Sequence, residues 1–226
     1  VQASILNVTQ DKIGDPLHIL SGTDISDLGT TDLGGTLDSL LGVTTSDYGT
    51  AVGQPIIRGL SGSRVKILTN GLVNRDVAGI GADHKNEVDL NDIQQIEVVR
   101  GPSSLLYANG ATGGIINIVD NTIATSDIEK RLFKLGFETQ SVNSGDGHSF
   151  SVADNLGGLN LYFSYSDSSF GNYDIPNGAV LHEEEHHDDE DDHGDDDHDE
   201  HEEDKGYLDN SDSAQEATRF GVSKVA

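Results

Sequence analysis

The hydrophobic pattern of this chain changes near residue 131. Before that point, short apolar elements alternate with glycine-rich turns. The leucines of residues 33–41 have the spacing of one helix face, and Gly42 is the predicted end of that helix. Residues 64–68 form a predicted strand, which an Asn-Gly hairpin turn follows. Further strands are predicted at 96–99 and 115–119. The pattern predicts an α+β unit over residues 1–122, with a small mixed sheet and short helices.

After residue 131, apolar and polar residues alternate as in strands with one apolar face. Phe133, Leu135 and Phe137, for example, are each followed by a residue that is charged or lacks a side chain. Four antiparallel strands are predicted, at 131–142, 148–154, 159–170 and about 219–223. The opposite parity carries small and hydrophilic residues, as the water-facing side of a barrel strand does. From the periodicity alone, half of an ordinary β-sandwich is an equally good interpretation.

The composition excludes several classes of function. The 226 residues carry a formal net charge of −27, which argues against nucleic acid as a partner, because phosphates require a basic surface. The sequence contains no cysteine, which excludes disulfides and thiolate catalysis within it. No apolar run approaches the ~20 residues of a membrane-spanning helix. Neither a nucleophile–base pair nor a phosphate-binding loop is present, so we expect no enzyme activity.

The acidic residues concentrate in one stretch, residues 182–205. Sixteen of its 24 residues are acidic and one is lysine, so the stretch carries −15 of the −27 charge. Without apolar side chains it cannot bury surface to offset its ordering entropy, and it is predicted to be a disordered, extended loop. Six histidines are interspersed among the carboxylates: His182, His186, His187, His193, His198 and His201.

This mixture of imidazole and carboxylate groups favours a divalent metal ion. Imidazole suits Zn²⁺, Cu²⁺ and Ni²⁺, whereas carboxylates alone suit Ca²⁺ or Mg²⁺. The negative field of the stretch also raises the local concentration of cations. We therefore expect several weak, interchangeable sites, with zinc as the first candidate and other divalent metals as alternatives. A solvated charge run with incidental histidines is the other interpretation.

Three segments of the first 122 residues carry a specific pattern. They are residues 54–59 (QPIIRG), 64–71 (RVKILTNG) and 96–107 (IEVVRGPSSLLY), the last continuing into 110–118 (GATGGIINI). In this order and spacing they resemble the plug domain of TonB-dependent outer-membrane receptors. The resemblance implies a plug over residues 1–122 and, over residues 123–226, the first four strands of a 22-stranded barrel. Four strands cannot close around a plug, so we expect an N-terminal piece of a longer receptor.

The resemblance also implies a location and partners. The barrel would cross the Gram-negative outer membrane in contact with its lipid, and the N-terminus would lie in the periplasm. The protein partner would be TonB with its inner-membrane energising complex, which pairs with a short strand called the TonB box. The candidate TonB box consists of Ser4, Ile5, Leu6, Asn7 and Val8.

Charged residues beside the plug motifs lock the plug to the barrel in this family. The candidates for this lock are Arg58, Glu97 and Arg100, and a simple surface ion pair is the alternative.

Strand counting adds a second implication. If the plug leaves toward the periplasm and the first strand runs outward, the connection 171–215, with its His/Asp/Glu-rich stretch, is the second extracellular loop.

The sequence is most similar to the zinc-uptake branch of this family. There an Asp-His pair at this plug position supplies two zinc ligands and the barrel supplies the rest, which implies that Asp83 and His84 bind zinc, with barrel ligands beyond residue 226. An Asp-His surface hydrogen bond is the alternative. We therefore expect a receptor for zinc or a similar divalent ion. A receptor for a siderophore, haem or cobalamin and a soluble acidic metal-buffering protein are the competing hypotheses.

Overall fold

The chain folds into two parts that pack against each other. The structure is a computed structural model that describes residues 17–28, 32–47, 52–81, 84–176, 179 and 206–225. The N-terminal unit, which contains the strands up to Asp120, is built on a five-stranded mixed sheet. The C-terminal sheet consists of four antiparallel strands.

The N-terminal unit combines short strands with two short helices in its described residues. The elements are β1 (Leu17–Ser21), α1 (Gly22–Leu28), α2 (Leu33–Leu37), β2 (Val43–Asp47), β3 (Gly53–Ile57), β4 (Val65–Thr69), β5 (Leu72–Val73), β6 (Ile93–Arg100) and β7 (Gly114–Asp120). The strand order is β1-β6-β7-β4-β5, with β4 and β7 parallel and the other pairs antiparallel. A separate hairpin pairs β2 with β3. The predicted mixed sheet with short helices is confirmed.

The core of this unit lies on both faces of the two central strands. Ile96 of β6 and its partner Ile118 of β7 are almost completely buried on one face, and Val99 of β6 and its partner Ile115 of β7 are buried on the other. A central strand that is covered on both faces requires apolar residues at successive positions, as at residues 98–99 of β6 and 115–116 of β7. Burying these side chains is the main stabilising contribution to the unit, at roughly 1.5–3 kcal/mol for each large aliphatic residue.

The predicted helix over residues 33–41 is shorter than its leucine spacing suggested. Asp32 caps α2 by accepting a hydrogen bond from the Gly35 backbone N–H at 2.8 Å, and the helix ends at Leu37. Gly42 has φ +77° and lies in the turn before β2, not at the helix end. Adjacent glycines weaken this helix, and Leu41 is 84% exposed. None of the described helices has the length and hydropathy that crossing a membrane requires.

The C-terminal sheet is made of long, regular strands. They are β8 (Leu132–Gln140), β9 (Gly145–Leu156), β10 (Leu159–Phe170) and β13 (Ser213–Ser223), with a short pair, β11 (Tyr173–Asp174) and β12 (Tyr207–Leu208), between the last two. Their order is β13-β10-β9-β8, and every neighbouring pair is antiparallel. The predicted strands are confirmed in number and direction, although β13 begins six residues before the predicted start of the last one.

The two faces of this sheet are reversed relative to a water-soluble sandwich. Phe137 on β8 is 82% exposed and Phe220 on β13 is 68% exposed, so the apolar face points away from the N-terminal unit. The polar face, with the buried residues Ser151, Tyr162 and Ser166, covers that unit. A sandwich half would bury its apolar side instead. The sheet therefore has the face pattern of a barrel wall whose polar side encloses another domain.

Candidate functional site

One segment of the N-terminal unit, residues 85–92, carries much of the polar contact between the two parts. It connects His84 to β6 and has no regular secondary structure. Arg219 on β13 reaches this segment. Its Nη2 lies 2.7 Å from Asp89 Oδ2 and donates to the Asp89 carbonyl at 2.6 Å, while Nη1 donates to the Asn91 carbonyl at 2.9 Å. The forked guanidinium thus holds two backbone carbonyls and one carboxylate at once.

Asp92 holds the other end of the segment. Tyr162 on β10 donates to Asp92 Oδ2 at 2.8 Å, and Lys134 on β8 lies 2.5 Å from Oδ1. Burial acts to raise the pKa of Asp92, but hydrogen bonds from Lys134, Ser151 and Tyr162 outweigh it and lower the pKa below its ordinary value. Asp92 is therefore an anionic anchor for residues from three strands.

Two further contacts complete this interface. Ser166 on β10 donates to Asp89 Oδ2 at 3.0 Å, and Asp120 at the end of β7 lies 4.0 Å from Arg219 Nε. Asp89, Asp92, Asp120 and Arg219 were not singled out from the sequence. The only local signal was the acidic Asp-Leu-Asn-Asp run before β6, because the partners come from strands that are distant in the chain.

His84 lies on the surface at the start of this segment. It is exposed, and its backbone carbonyl is 3.1 Å from the side-chain amide nitrogen of Gln54, a buried residue of β3. The same amide nitrogen lies 2.6 Å from the carbonyls of Ala78 and Gly81. One buried amide therefore fixes the backbone around His84. Asp83, the predicted partner in metal binding, lies outside the described residues.

The described residues contain no cluster of three or more His, Asp, Glu or Cys side chains with metal-binding geometry. The six histidines of residues 182–205 and the candidate TonB box at residues 4–8 also lie outside the described part of the chain. Zinc binding at these positions stays a prediction. The sequence of residues 182–186, HEEEH, also has the HExxH spacing of zinc-binding motifs.

The three candidate lock residues have different surroundings. Glu97 is 2% exposed and accepts hydrogen bonds from Gln95 at 2.5 Å and Asn117 at 3.0 Å, both within the N-terminal unit. Arg100 donates to the Leu41 carbonyl and contacts His18 Nε2. These contacts, as far as the described residues show them, do not reach the C-terminal sheet. The proposed lock to the barrel therefore stays a prediction.

Arg58 lies beside Arg100 and is exposed. Burial lowers the pKa of Arg100, and the positive charge of Arg58 lowers it further. The Nε atom of Arg100 is buried and has no hydrogen-bond partner among the described residues. Two neighbouring guanidinium groups with spare donors are suited to receive a carboxylate from another part of the protein.

His84 and the base of the acidic loop lie toward the same end of the C-terminal sheet. Along β10, Asn160 accepts a hydrogen bond from Ile128, Tyr162 contacts Asp92 and Ser166 contacts Asp89. The contacts with residues 85–92 therefore come closer to His84 in sequence as β10 runs toward Phe170. The long connection starts at that end. There β11 pairs with β12, and the Ile175 N–H donates to the Gly206 carbonyl at 3.0 Å.

One comparison with known families concerns the first part of the chain. A family model described as TonB-dependent Receptor Plug Domain matches residues 9–115. Residues 9–115 are thus similar to the plug domains of this family. The hemin receptor of Yersinia enterocolitica is 30% identical to this chain over 148 residues, or 62% of this chain and 20% of that protein. The chain thus spans about a fifth of the length of this relative.

Solved structures support the fold of the plug and the strands that follow it. The ferric enterobactin receptor of Pseudomonas aeruginosa superposes with a TM-score of 0.57 at 22% identity, over 71% of this chain and 25% of that chain. The copper transporter OprC superposes with a TM-score of 0.58 at 19% identity, over 70% of this chain and 24% of that chain. At these identities the likeness concerns the fold of plug and barrel strands.

Proposed function

We propose that this chain is the N-terminal part of a TonB-dependent receptor of the outer membrane, and that the receptor imports zinc or a similar divalent metal ion. The observation that supports the receptor is the reversed C-terminal sheet. Its apolar face is exposed, as at Phe137, and its polar face encloses the plug. A lipid-facing wall around a polar lumen requires this arrangement.

The proposed energy supply comes from TonB and its inner-membrane complex. TonB would add a strand to residues 4–8, which precede β1 in the chain. β1 is an edge strand of the plug sheet and pairs only with β6 among the described strands. Force on the N-terminus would therefore act first on β1, which is hydrogen-bonded along one edge, to β6. The proposed result is a plug rearrangement that lets cargo pass.

The proposed cargo rests on two candidate metal-binding elements that lie toward one end of the C-terminal sheet. His84 lies toward the Phe170 end of the sheet, and the connection that carries residues 182–205 is closed by β11 and β12 at the same end. In the proposed orientation this end is extracellular. The acidic, His-rich stretch would concentrate cations, and Asp83 and His84 would hold one ion above the plug together with barrel ligands.

A second candidate cargo is a metal complex. It is favoured by the relatives, whose names specify hemin and ferric enterobactin, although the copper transporter shows that the same fold also serves a metal ion. In that case the receptor would bind a siderophore or haem in its vestibule, and the histidines would contribute little to affinity.

Metal binding by the full-length receptor tests the choice of cargo. We expect the double substitution Asp83→Ala/His84→Ala to weaken zinc affinity at least about tenfold, since loss of groups around a metal commonly has this effect. The matched control is His148→Ala, because His148 is an exposed histidine on β9 away from the plug. Binding is measured by calorimetry in detergent.

Uptake by cells separates the two candidates. Cells that depend on this receptor should grow on free zinc if the ion is the cargo, and the double variant should need more zinc. Growth on haem or a ferric siderophore without any zinc response would support the second candidate. An unchanged zinc affinity in the double variant would remove Asp83 and His84 from the binding site.

A further inference from the structure

The side-chain amide of Gln54 lies beneath the surface loop formed by residues 77–81 and 84. Its nitrogen Nε2 is 2.6 Å from the carbonyl oxygens of Ala78 and Gly81 and 3.1 Å from that of His84. The three carbonyls are spaced three residues apart, the spacing at which the carbonyls of a tightly coiled chain point to one side. An amide nitrogen has two N–H groups, so the three acceptors share them. One buried side chain therefore holds the loop at three points.

The loop buries little apolar surface of its own. Among residues 77–81, Ala78 is buried, whereas Val77 and Ile80 are 53% and 83% exposed. A segment with few buried apolar contacts opens readily unless polar contacts restrain it. The hydrogen bonds from Gln54 are therefore a main constraint on the conformation of this loop.

Gln54 is itself held in place by the strands around it. It is paired with Ser46 of β2, whose Oγ accepts a hydrogen bond from the Gln54 N–H at 3.3 Å. A Cβ atom on the preceding Gly53 would lie 1.8 Å from a carboxylate oxygen of the residue that caps α2, so the strand is tightly packed there. Asn86, also buried, donates to the Gly53 carbonyl at 3.3 Å. Two buried amides thus connect β3 to the chain on both sides of His84.

We propose that Gln54 is a positioning residue, which holds the loop in the conformation that presents His84 to cargo. Gln54 is 4% exposed and acts from inside the protein. The inference rests on the proposed receptor function and adds the residue that prepares the binding site. A loop that is ordered before the ion arrives removes an entropic cost from binding. If only about one tenth of the molecules held this conformation, the apparent affinity for cargo would fall about tenfold.

Replacing the donor of Gln54 by an acceptor tests this role. Gln54→Glu keeps the shape of the side chain but directs carboxylate oxygens at three carbonyl oxygens, and Gln54→Met fills a similar volume without donors. We expect the loop to loosen most in Gln54→Glu and to an intermediate degree in Gln54→Met. A side chain that only filled space would give a Gln54→Met variant like the wild type. The matched control is Gln94→Glu, the same change at an exposed position of β6.

A spin label measures the order of the loop without any cargo. The chain has no cysteine, so Ile80→Cys gives an exposed attachment site in the loop. Leu72→Cys on β5, at a position that is 76% exposed, gives a reference outside the loop. Both are placed in the full-length receptor, with any cysteine elsewhere replaced by serine. We expect the paramagnetic resonance spectrum at residue 80 to gain a mobile component in Gln54→Glu, and the spectrum at residue 72 to stay the same. An unchanged spectrum at residue 80 would overturn the proposal.

Zinc affinity, measured by calorimetry in detergent, tests whether the order of the loop matters for binding. We expect Gln54→Glu to weaken zinc affinity by about fivefold to tenfold. In an Asp83→Ala/His84→Ala background the same change should have no further effect, because a positioning residue acts through the groups that it positions. Equal weakening in both backgrounds would show a general structural effect and contradict the proposed role.

The proposed function and the role of Gln54 fail in different ways. If Asp83→Ala/His84→Ala binds zinc as the wild type does, the proposed metal site is wrong, whereas the label at residue 80 still decides whether Gln54 orders the loop. If the double variant loses affinity but a Gln54 variant with a mobile loop does not, the loop need not be ordered and the inference is wrong. If Gln54→Glu does not assemble in the outer membrane, Gln54→Met decides both measurements.

Discussion

His18 on β1 contacts the guanidinium of Arg100, and its burial beside this charge makes the stability of the N-terminal unit depend on pH. Burial lowers the pKa of His18, and the charge of Arg100 lowers it further. The folded plug therefore favours the neutral imidazole, so the unfolded chain binds a proton first as the pH falls. The stabilising contribution is complete above the unfolded pKa of about 6.5 and is lost as the pH falls through the lower folded pKa.

We therefore expect the thermal stability of the receptor to fall between about pH 7.5 and about pH 5.5, and to fall less in His18→Gln. Thermal unfolding in detergent at both pH values measures this difference. His148→Gln is the control for the loss of an exposed histidine. An identical pH dependence of wild type and His18→Gln would contradict the role of this contact.

Gly221 on β13 is required where the chain passes from plug to barrel. A Cβ atom at this position would overlap the backbone oxygen of Thr122, which cannot move like a side chain. We expect Gly221→Ala to destabilise the receptor by about 1–3 kcal/mol, the usual cost of overpacking. Gly79→Ala is the control, since its added Cβ meets no atom within 4 Å. Equal unfolding temperatures of the two variants would refute this expectation.

The contacts of single residues were the hardest feature of this protein to predict. Glu97 and Arg100 stand out in a recognisable motif, but their described hydrogen bonds lie within the plug. The contacts of Arg219 could not be foreseen, because the hydrogen bond to the Asp89 carbonyl spans 130 residues of sequence. Local patterns carry no information about such distant pairs. Only the strand register and the position of the plug determine which of the charged residues meet.

The strands were the most predictable elements because the alternation of apolar and polar residues is dictated by the pleat. The predicted third strand, 159–170, coincides with β10. The length of helix α2 was overestimated, because leucines with helical spacing also lie in the turn that leads into β2. The domain boundary at residue 122 stays a prediction, although β7 ends at Asp120 and β8 begins at Leu132.

The exposed face of the C-terminal sheet gives a prediction at the level of the strand. Leu135 on β8 is 61% exposed on the apolar face, whereas Glu138 lies on the polar face. A lysine on the lipid side costs about 2–4 kcal/mol near the middle of the bilayer, while lumen positions tolerate charge. We expect Leu135→Lys to reduce assembly in the outer membrane and Glu138→Lys to leave it nearly unchanged.

Heat-modifiable migration on gels and cell fractionation measure this assembly. If both lysine variants assemble equally well, the exposed face does not contact lipid. That outcome would weaken the receptor interpretation itself, because the reversed face pattern supports the barrel more directly than any single motif does.

At the scale of the whole molecule, the position of the acidic stretch follows from topology and not from its own sequence. Its composition predicted only charge and metal affinity. The side of the sheet to which it is attached follows from the strand count and is seen in the β11–β12 pair that closes the connection. This pair lies at the end toward which His84 also lies. Composition and topology together support the proposal that this stretch supplies metal ions to residues 83 and 84, and neither would do so alone.

The two properties of residues 182–205 can be separated in the full-length receptor. Replacing its six histidines by glutamine keeps the −15 charge, whereas replacing its sixteen carboxylates by amides keeps the histidines. If the negative field only gathers cations, the amide variant alone should need more zinc for half-maximal uptake, and added salt should reduce the difference. If the imidazoles bind the ion, the histidine variant should need more zinc as well, even at high salt.

The maximal rate of uptake at saturating zinc provides the internal control of this experiment. Both variants should reach the wild-type rate there, because residues 182–205 act before the ion reaches the plug, while Asp83→Ala/His84→Ala should need more zinc in every background. If both variants match the wild type at limiting zinc, residues 182–205 have no part in metal capture. The cargo would then have to be recognised by the plug and the barrel alone, which is the arrangement expected for a bulky metal complex.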